Sequence, residues 1–447
     1  MKKTIIPMLL FLGALTGISG CKDFLEEKSD TQLTTPTTLK DNQALLDHYR
    51  MVSDGNFSSE VSAGDVYVTD ADFQMTLYDE DKRLYTWQGD GVSKENGNDW
   101  SNCYQKINIC NTVLDNLKTY RIKDSDYVKG QALALRGSLY LEAAQVWCLA
   151  YDKKTAEKGL GLPLRLDSDM NQPSVRSSLQ KTYDQVLDDL HKAVGLLPVQ
   201  RVSNSRMSKI AALGFLSRAY LYMGDYKNAL LYGKQALSYP VDLLDFNALN
   251  PGDEYPVKER NKETIFDLGM GGNSFLRANT AKISRALYDS YENNDLRKSI
   301  YFRGDGLGNI LFKGNYSGST VRTMHLGTDE LYLIVAESYV REGDIEKGMD
   351  ILNALLRTRW KKGYYKDYTA NSQEKALEII FQERRKELIF RGLRWADIKR
   401  YNRDGAGIVL SREVLGKTYT LPANDLRYAI ALPQQVIVLS GMPQNKR

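Results

Sequence analysis

The chain has 447 residues, 42% hydrophobic and 26% charged, with a formal charge of +4. That leaves room for a large core and shows none of the cationic excess that nucleic acid demands. With 3 His, zinc chemistry built on imidazole is disfavoured, while 28 Tyr against 12 Phe and 5 Trp suit surfaces that are half apolar and half wet.

Lys2 and Lys3 precede an apolar run from Ile5 to Ile18, shaped like a secretory signal and short of the ~20 residues a comfortable membrane span needs. It ends Ile18-Ser19-Gly20-Cys21, which resembles the bacterial lipobox cleaved before a lipidated Cys. Residues 1–20 are therefore expected to be a lipoprotein signal peptide. Cys21 would carry the acyl chains, and residues 21–41, polar and Thr-rich, would form a tether. Cys103 and Cys110 lie about 10 Å apart along a helix, beyond disulfide reach. With Cys148 they read as small core residues, and no metal site is expected.

Residues 42–447 are expected to form a single domain. Segments 100–240 and 328–402 carry mostly helical periodicity, while 54–99 and 240–327, dense in Gly, Asn and Asp, read as irregular, ligand-side segments. In the first irregular segment, Asp65, Asp70, Asp72, Asp79, Glu80 and Asp81 offer oxygens of the kind calcium takes, without the spacing of an EF-hand. Sugar recognition needs ring faces and planar polar groups, and the best local set is Tyr85, Trp87, Gln88 and Asp90, followed by Asn96 and Asn98. Tyr301 with Arg303, and Trp360 with Tyr364, are second choices.

Two segments repeat each other: Leu216–Tyr226 and Val335–Ile345 each end a helix in Gly-Asp and lead into a second amphipathic helix. Small residues at Ser217 and Ala336 allow close approach, which is tetratricopeptide-like spacing, with Ala134–Tyr140 a weaker third copy. No catalytic signature is convincing. Gly416-Lys417-Thr418 mimics the end of a P-loop, but Ser411 stands where its first Gly belongs.

Near the C-terminus, Ala376, Ile380, Glu383, Glu387 and Phe390 fall on one helical stripe, which sets two carboxylates in line with an apolar face. An i,i+4 Glu pair has roughly the spacing of a retaining glycosidase. The surrounding Arg384, Arg385, Lys386, Arg391 and Arg394 would keep both ionised, however, and an acid catalyst needs one protonated. A buried ion network is the better reading.

This stretch resembles the C-terminal signature of the SusD/RagB family. Glu383, Arg384, Arg385, Glu387, Leu388, Phe390, Gly392, Arg394, Trp395, Asp397 and Arg400 stand where that pattern expects them. Arg391 replaces a usual acidic residue and Ala396 a usual aromatic. Trp100, Tyr104, Ile107 and Asn111, and the closing Tyr428–Pro433, are similar to further family segments. The resemblance implies an all-α, SusD-like fold of tetratricopeptide-type helix pairs in a solenoid, with irregular ligand-binding loops. It implies a lipid-anchored protein on the outer surface of the outer membrane. Such a protein captures an oligosaccharide without catalysis or cofactor and delivers it to a SusC-like TonB-dependent β-barrel. Peptide capture on the same scaffold, a surface glycosidase and a tetratricopeptide adaptor without a small ligand are the rival readings.

Overall fold

The structure is a computed structural model and describes residues 35–447. Cys21 and the start of the tether lie outside the described residues. Most of the scaffold helices begin where the sequence supplies a side-chain cap. Thr38 closes a reciprocal capping box with Asp41 on α1 (Leu39–Leu46), and Asn98 accepts from the Ser101 amide to start α2 (Asp99–Thr119). Next comes α3 (Asp126–Trp147), buried on nearly every face, and then α4 (Leu179–Leu196), capped by Ser178.

The first repeat follows as α5 (Lys209–Met223) and α6 (Tyr226–Leu237), and the second as α7 (Thr328–Arg341) and α8 (Ile345–Leu356). Gly224 ends α5 at φ 77°, a left-handed cap that costs glycine little, and Asp225 and Asp344 cap the second helix of each pair. The two pairs meet in the same way. Ser217 Oγ donates to the Ala229 carbonyl at 2.8 Å, and at the matching positions Gly348 lies against Ala336. From α2 to α8 each helix packs on its neighbour in chain order, and α9 (Gln373–Glu387) returns against α7. This is the stacking of a helical solenoid. The weaker third copy lies in α3, whose partner α4 is reached only through a long loop.

The irregular segments are not structureless. Val66–Tyr67, Lys282–Ile283, Ile310–Phe312 and Phe302–Gly304 line up in that order as a small antiparallel sheet, so the two irregular segments of the sequence are stitched together. Gly416-Lys417-Thr418 begins the second strand of a hairpin, Leu410–Val414 with Lys417–Leu421. Its two-residue turn, Leu415-Gly416, has φ of 51° and 72°, as a type I′ turn requires.

The charged stripe of α9 and of α10 (Arg394–Arg403) lies in the core. Arg297 binds Asp295 at 2.6 Å, Glu383 at 2.6 Å and Glu387 at 2.9 Å. Arg359 takes the other Glu387 oxygen at 2.7 Å and Glu263 at 2.7 Å. Asp397 lies between Arg384 and Arg400 at 2.8 and 2.9 Å, and Arg400 reaches on to Glu337. Burial works against the Asp397 carboxylate, but the two guanidinium groups outweigh it and hold its pKa below the usual carboxylate range. Both oxygens of Glu387 are thus committed to arginine. Removing one member of such a buried set typically costs ~3–5 kcal/mol. Arg391, the departure from the family pattern, binds Asp329 at 3.0 Å and the His325 carbonyl at 2.8 Å. Arg394 and Arg385 both turn to the buried Asp65, and Trp395 packs on Tyr428 with ring centroids 4.7 Å apart.

Candidate functional site

A cavity of about 620 Å³ opens between the end of α1, the short turn Tyr49–Val52, the first turns of α2 and the Gly271-Gly272 segment. Its most prominent side chain is Tyr49, 63% exposed although aromatic. The turn is set by His48, whose Nδ1 accepts the Arg50 amide at 3.3 Å, and the His48 and Tyr49 rings lie 4.7 Å apart, tilted by 36°. Arg50 Nε donates to the Tyr49 hydroxyl at 3.3 Å, which keeps the guanidinium beside the ring. Across the cavity, Asn102 and Gln105 project from the polar face of α2, and neither side-chain amide has a hydrogen-bond partner among the described residues. Asp54, itself exposed, adds a carboxylate to the lining.

The wall is held through its backbone. Gly55 donates to the Gly269 carbonyl at 2.9 Å and Gly271 donates back to Gly55 at 2.7 Å. A Cβ at Gly271 would meet that Gly55 oxygen at 2.8 Å, so the close approach requires glycine. The Asn56 amide donates to Glu142 at 2.8 Å, and the Phe57 and Ser58 amides to one Asp99 oxygen at 3.1 and 2.8 Å. Lys106 reaches the Ser53 carbonyl from α2. Glu60, just beyond, accepts the Gly392 amide at 2.9 Å. Burial pushes the Asp99 and Glu60 carboxyls up to about 7, against the pull of the amides they accept.

None of the residues nominated from sequence lines this cavity. Trp87 is only 4% exposed; its indole donates to the Ser62 carbonyl at 3.0 Å and the Arg412 guanidinium sits 4.5 Å over its ring. Tyr85 is buried beneath the same guanidinium, with its hydroxyl accepting the Val68 amide. Neither ring offers a face to a sugar, which corrects the stacking role expected of them. Gln88 and Asp90 are exposed, Asp90 paired with Arg83 at 3.3 Å. Asn96 is exposed, while Asn98 is buried as the α2 cap. Tyr301 and Trp360 are core residues; Arg303 and Tyr364 are exposed and lie elsewhere on the surface.

The acidic run does not converge either. Asp65 faces Arg385, Asp70 accepts the Leu415 amide, Asp72 takes Lys282, Asp79 pairs with Lys82, and Asp81 pairs with Lys94. The calcium expectation thus finds no gathered ligand set there. Among the described residues, Glu263, Asp329 and Glu387 bring carboxylate oxygens within 4.8 Å of one another, but Arg359, Arg391 and Arg297 supply the positive charge they need.

What sequence reading passed over is the run His48-Tyr49-Arg50, a ring between two planar polar groups, and the polar side of α2. The α2 helix was read only for its apolar stripe. Asn102 and Gln105, three residues apart on the other side, carried the usable signal.

Among the described residues no helix is long and apolar enough to cross a membrane. A SusD-like family model described as "starch-binding associating with outer membrane" matches residues 23–221, and the SusD family model matches residues 313–434. A curated relative, SusD-like protein P38 of Formosa agariphila, is 30% identical over 130 residues, which is 29% of this chain and 24% of that protein. The chain therefore aligns with about a quarter of that relative's length. A SusD superfamily structure from Bacteroides thetaiotaomicron superposes with a TM-score of 0.76 at 22% identity, covering 92% of this chain and 100% of its own. A putative sugar binding protein from Bacteroides vulgatus gives 0.73 at 20% identity, covering 92% and 99%. With two family models that span most of the chain between them, and a solenoid of matching shape, this protein belongs to the SusD/RagB family.

Proposed function

We propose that this protein captures an oligosaccharide at the cell surface and hands it to a SusC-like TonB-dependent barrel in the outer membrane, without chemistry of its own. The observation that carries the reading is the exposed Tyr49 ring beside Arg50, in a cavity also lined by Asn102 and Gln105, whose side-chain amides have no partner among the described residues. A ring face covers the apolar side of a sugar while amides and guanidinium meet its hydroxyls. The family description, and the likeness to the sugar binding protein of B. vulgatus, support the ligand class. The lipid anchor at Cys21 would hold the molecule at the membrane, residues 42–447 would act as one domain, and the solenoid would face the barrel. Glu383 and Glu387, the acid–base candidates of a glycosidase, are both bound to Arg297 in the core, out of reach of a substrate.

The test is an oligosaccharide and peptide binding screen with product analysis of every hit. Saturable glycan binding without turnover is expected. Tyr49→Ala should weaken it about tenfold, or ~1.4 kcal/mol, with the melting temperature unchanged because the ring is exposed. Peptide hits alone, or glycan binding indifferent to Tyr49→Ala, would refute the assignment of this cavity.

A further inference from the structure

Arg136, Arg218, Arg297, Arg359 and Arg400 are each committed to a carboxylate of this chain. Arg50 is not. Among the described residues it makes no ion pair, and only its Nε is used, on the Tyr49 hydroxyl. Its two terminal nitrogens have no partner among the described residues and stand at the cavity edge, beside the exposed Tyr49 ring. A guanidinium fork of this kind matches the two oxygens of a carboxylate in one plane.

The rest of the lining points the same way. His48 Nδ1 accepts the Arg50 amide, so hydrogen bonding assigns the proton of the neutral imidazole to Nε2, a second donor. The buried Lys106 ammonium adds positive charge behind the wall, and its hydrogen bond goes to the Ser53 carbonyl. Asp54 is the sole carboxylate that lines the cavity, and it is turned to the Ser53 hydroxyl at 2.9 Å, with no ion pair to Arg50. The cavity therefore carries more cationic than anionic groups and more donors than acceptors. At Gly272 a Cβ would meet nothing within 4 Å, so the rim is open to a ligand longer than one ring.

We propose that the ligand is an acidic oligosaccharide, a uronate whose carboxylate is taken by the Arg50 fork while its ring lies on Tyr49. The inference rests on the reading of this cavity as a glycan site and adds the charge of the glycan. Neutral Asn102 and Gln105 serve hydroxyls; Arg50 reads the acid.

The experiment compares, on the purified full chain, a panel of uronate oligosaccharides, the methyl ester of each, and neutral oligosaccharides of equal length. At least one uronate should bind, and its ester should bind about tenfold more weakly, the loss expected for one charge-assisted fork. Raising the salt should weaken the acid and leave the ester unaffected. Arg50→Gln should abolish the difference in affinity between the acid and its ester, and with it the salt dependence of the acid. Esters or neutral glycans that bind as tightly as the acids, with Arg50→Gln silent, would overturn the acidic assignment and leave the glycan site standing. Sulfated neutral glycans that outbind the uronates would overturn the carboxylate in particular. No binding by any glycan would take the site itself down with the inference.

Discussion

Asp99 shows how much a single buried carboxyl decides here. One of its oxygens carries two amides of the cavity wall, the other has no partner, and no cation neutralises it. In the unfolded chain an aspartate titrates at about 4, whereas burial raises Asp99, like Glu60, to about 7. Between those values the folded state holds protons that the unfolded state has released, so stability falls as pH rises through that window. The melting temperature should therefore increase as pH is lowered from neutral toward about 5. Asp99→Asn, which keeps an oxygen for the Phe57 and Ser58 amides, should flatten that increase; an unaltered slope would show that another group titrates. The same scale explains why the burial of Trp87 is not legible in sequence. The residues that follow it, Gln88 to Asp90, are polar or small, but the group that covers it, Arg412, comes from the far end of the chain. No local pattern distinguishes a covered ring from an open one.

At the scale of elements, the solenoid was legible because its signals are local: a helical stripe, a cap, a Gly-Asp stop, and small residues at matching positions. The second repeat is the tighter of the two. At Gly348 a Cβ would stand 2.4 Å from Val340 and 2.8 Å from the Ala336 carbonyl, and the second of these is backbone that cannot rotate away. Gly348→Ala gains up to ~1 kcal/mol of helix propensity but forces α7 and α8 apart, which costs about 1–3 kcal/mol. Net destabilisation is expected, read as a lower midpoint in denaturant. A stabilised variant would mean that the pair has slack. The sheet was illegible for the opposite reason. Its strands are two or three residues long, and Val66 finds Ile283 more than 200 residues away, so neither periodicity nor turn chemistry announces the pairing.

For the molecule as a whole, the last quarter of the chain is built into the first third. Gly392 donates to Glu60, Arg385 to Asp65 and Arg412 to the Val61 carbonyl, while Lys399 and Asn445 hold carbonyls at the end of α3. A chain stopped after Glu387 would keep Arg385 but leave the other buried acceptors bare, each at a desolvation cost of ~1–3 kcal/mol. It should lose its sharp thermal transition; a truncated chain that still melts cooperatively would show that the N-terminal helices form a unit alone.

The backbone suspension of the cavity wall separates its lining from its support. Residues 55–58 are fixed by their amides and carbonyls, and Ser53 by its carbonyl, so the fold asks little of what Tyr49 and Arg50 carry on their Cβ atoms, whereas Asp54, at φ 51°, occupies a position that favours Asp, Asn or Gly. Changing Tyr49 or Arg50 would therefore recast the lining of the cavity while Asp99, Glu142 and Lys106 go on holding its wall, with the solenoid undisturbed.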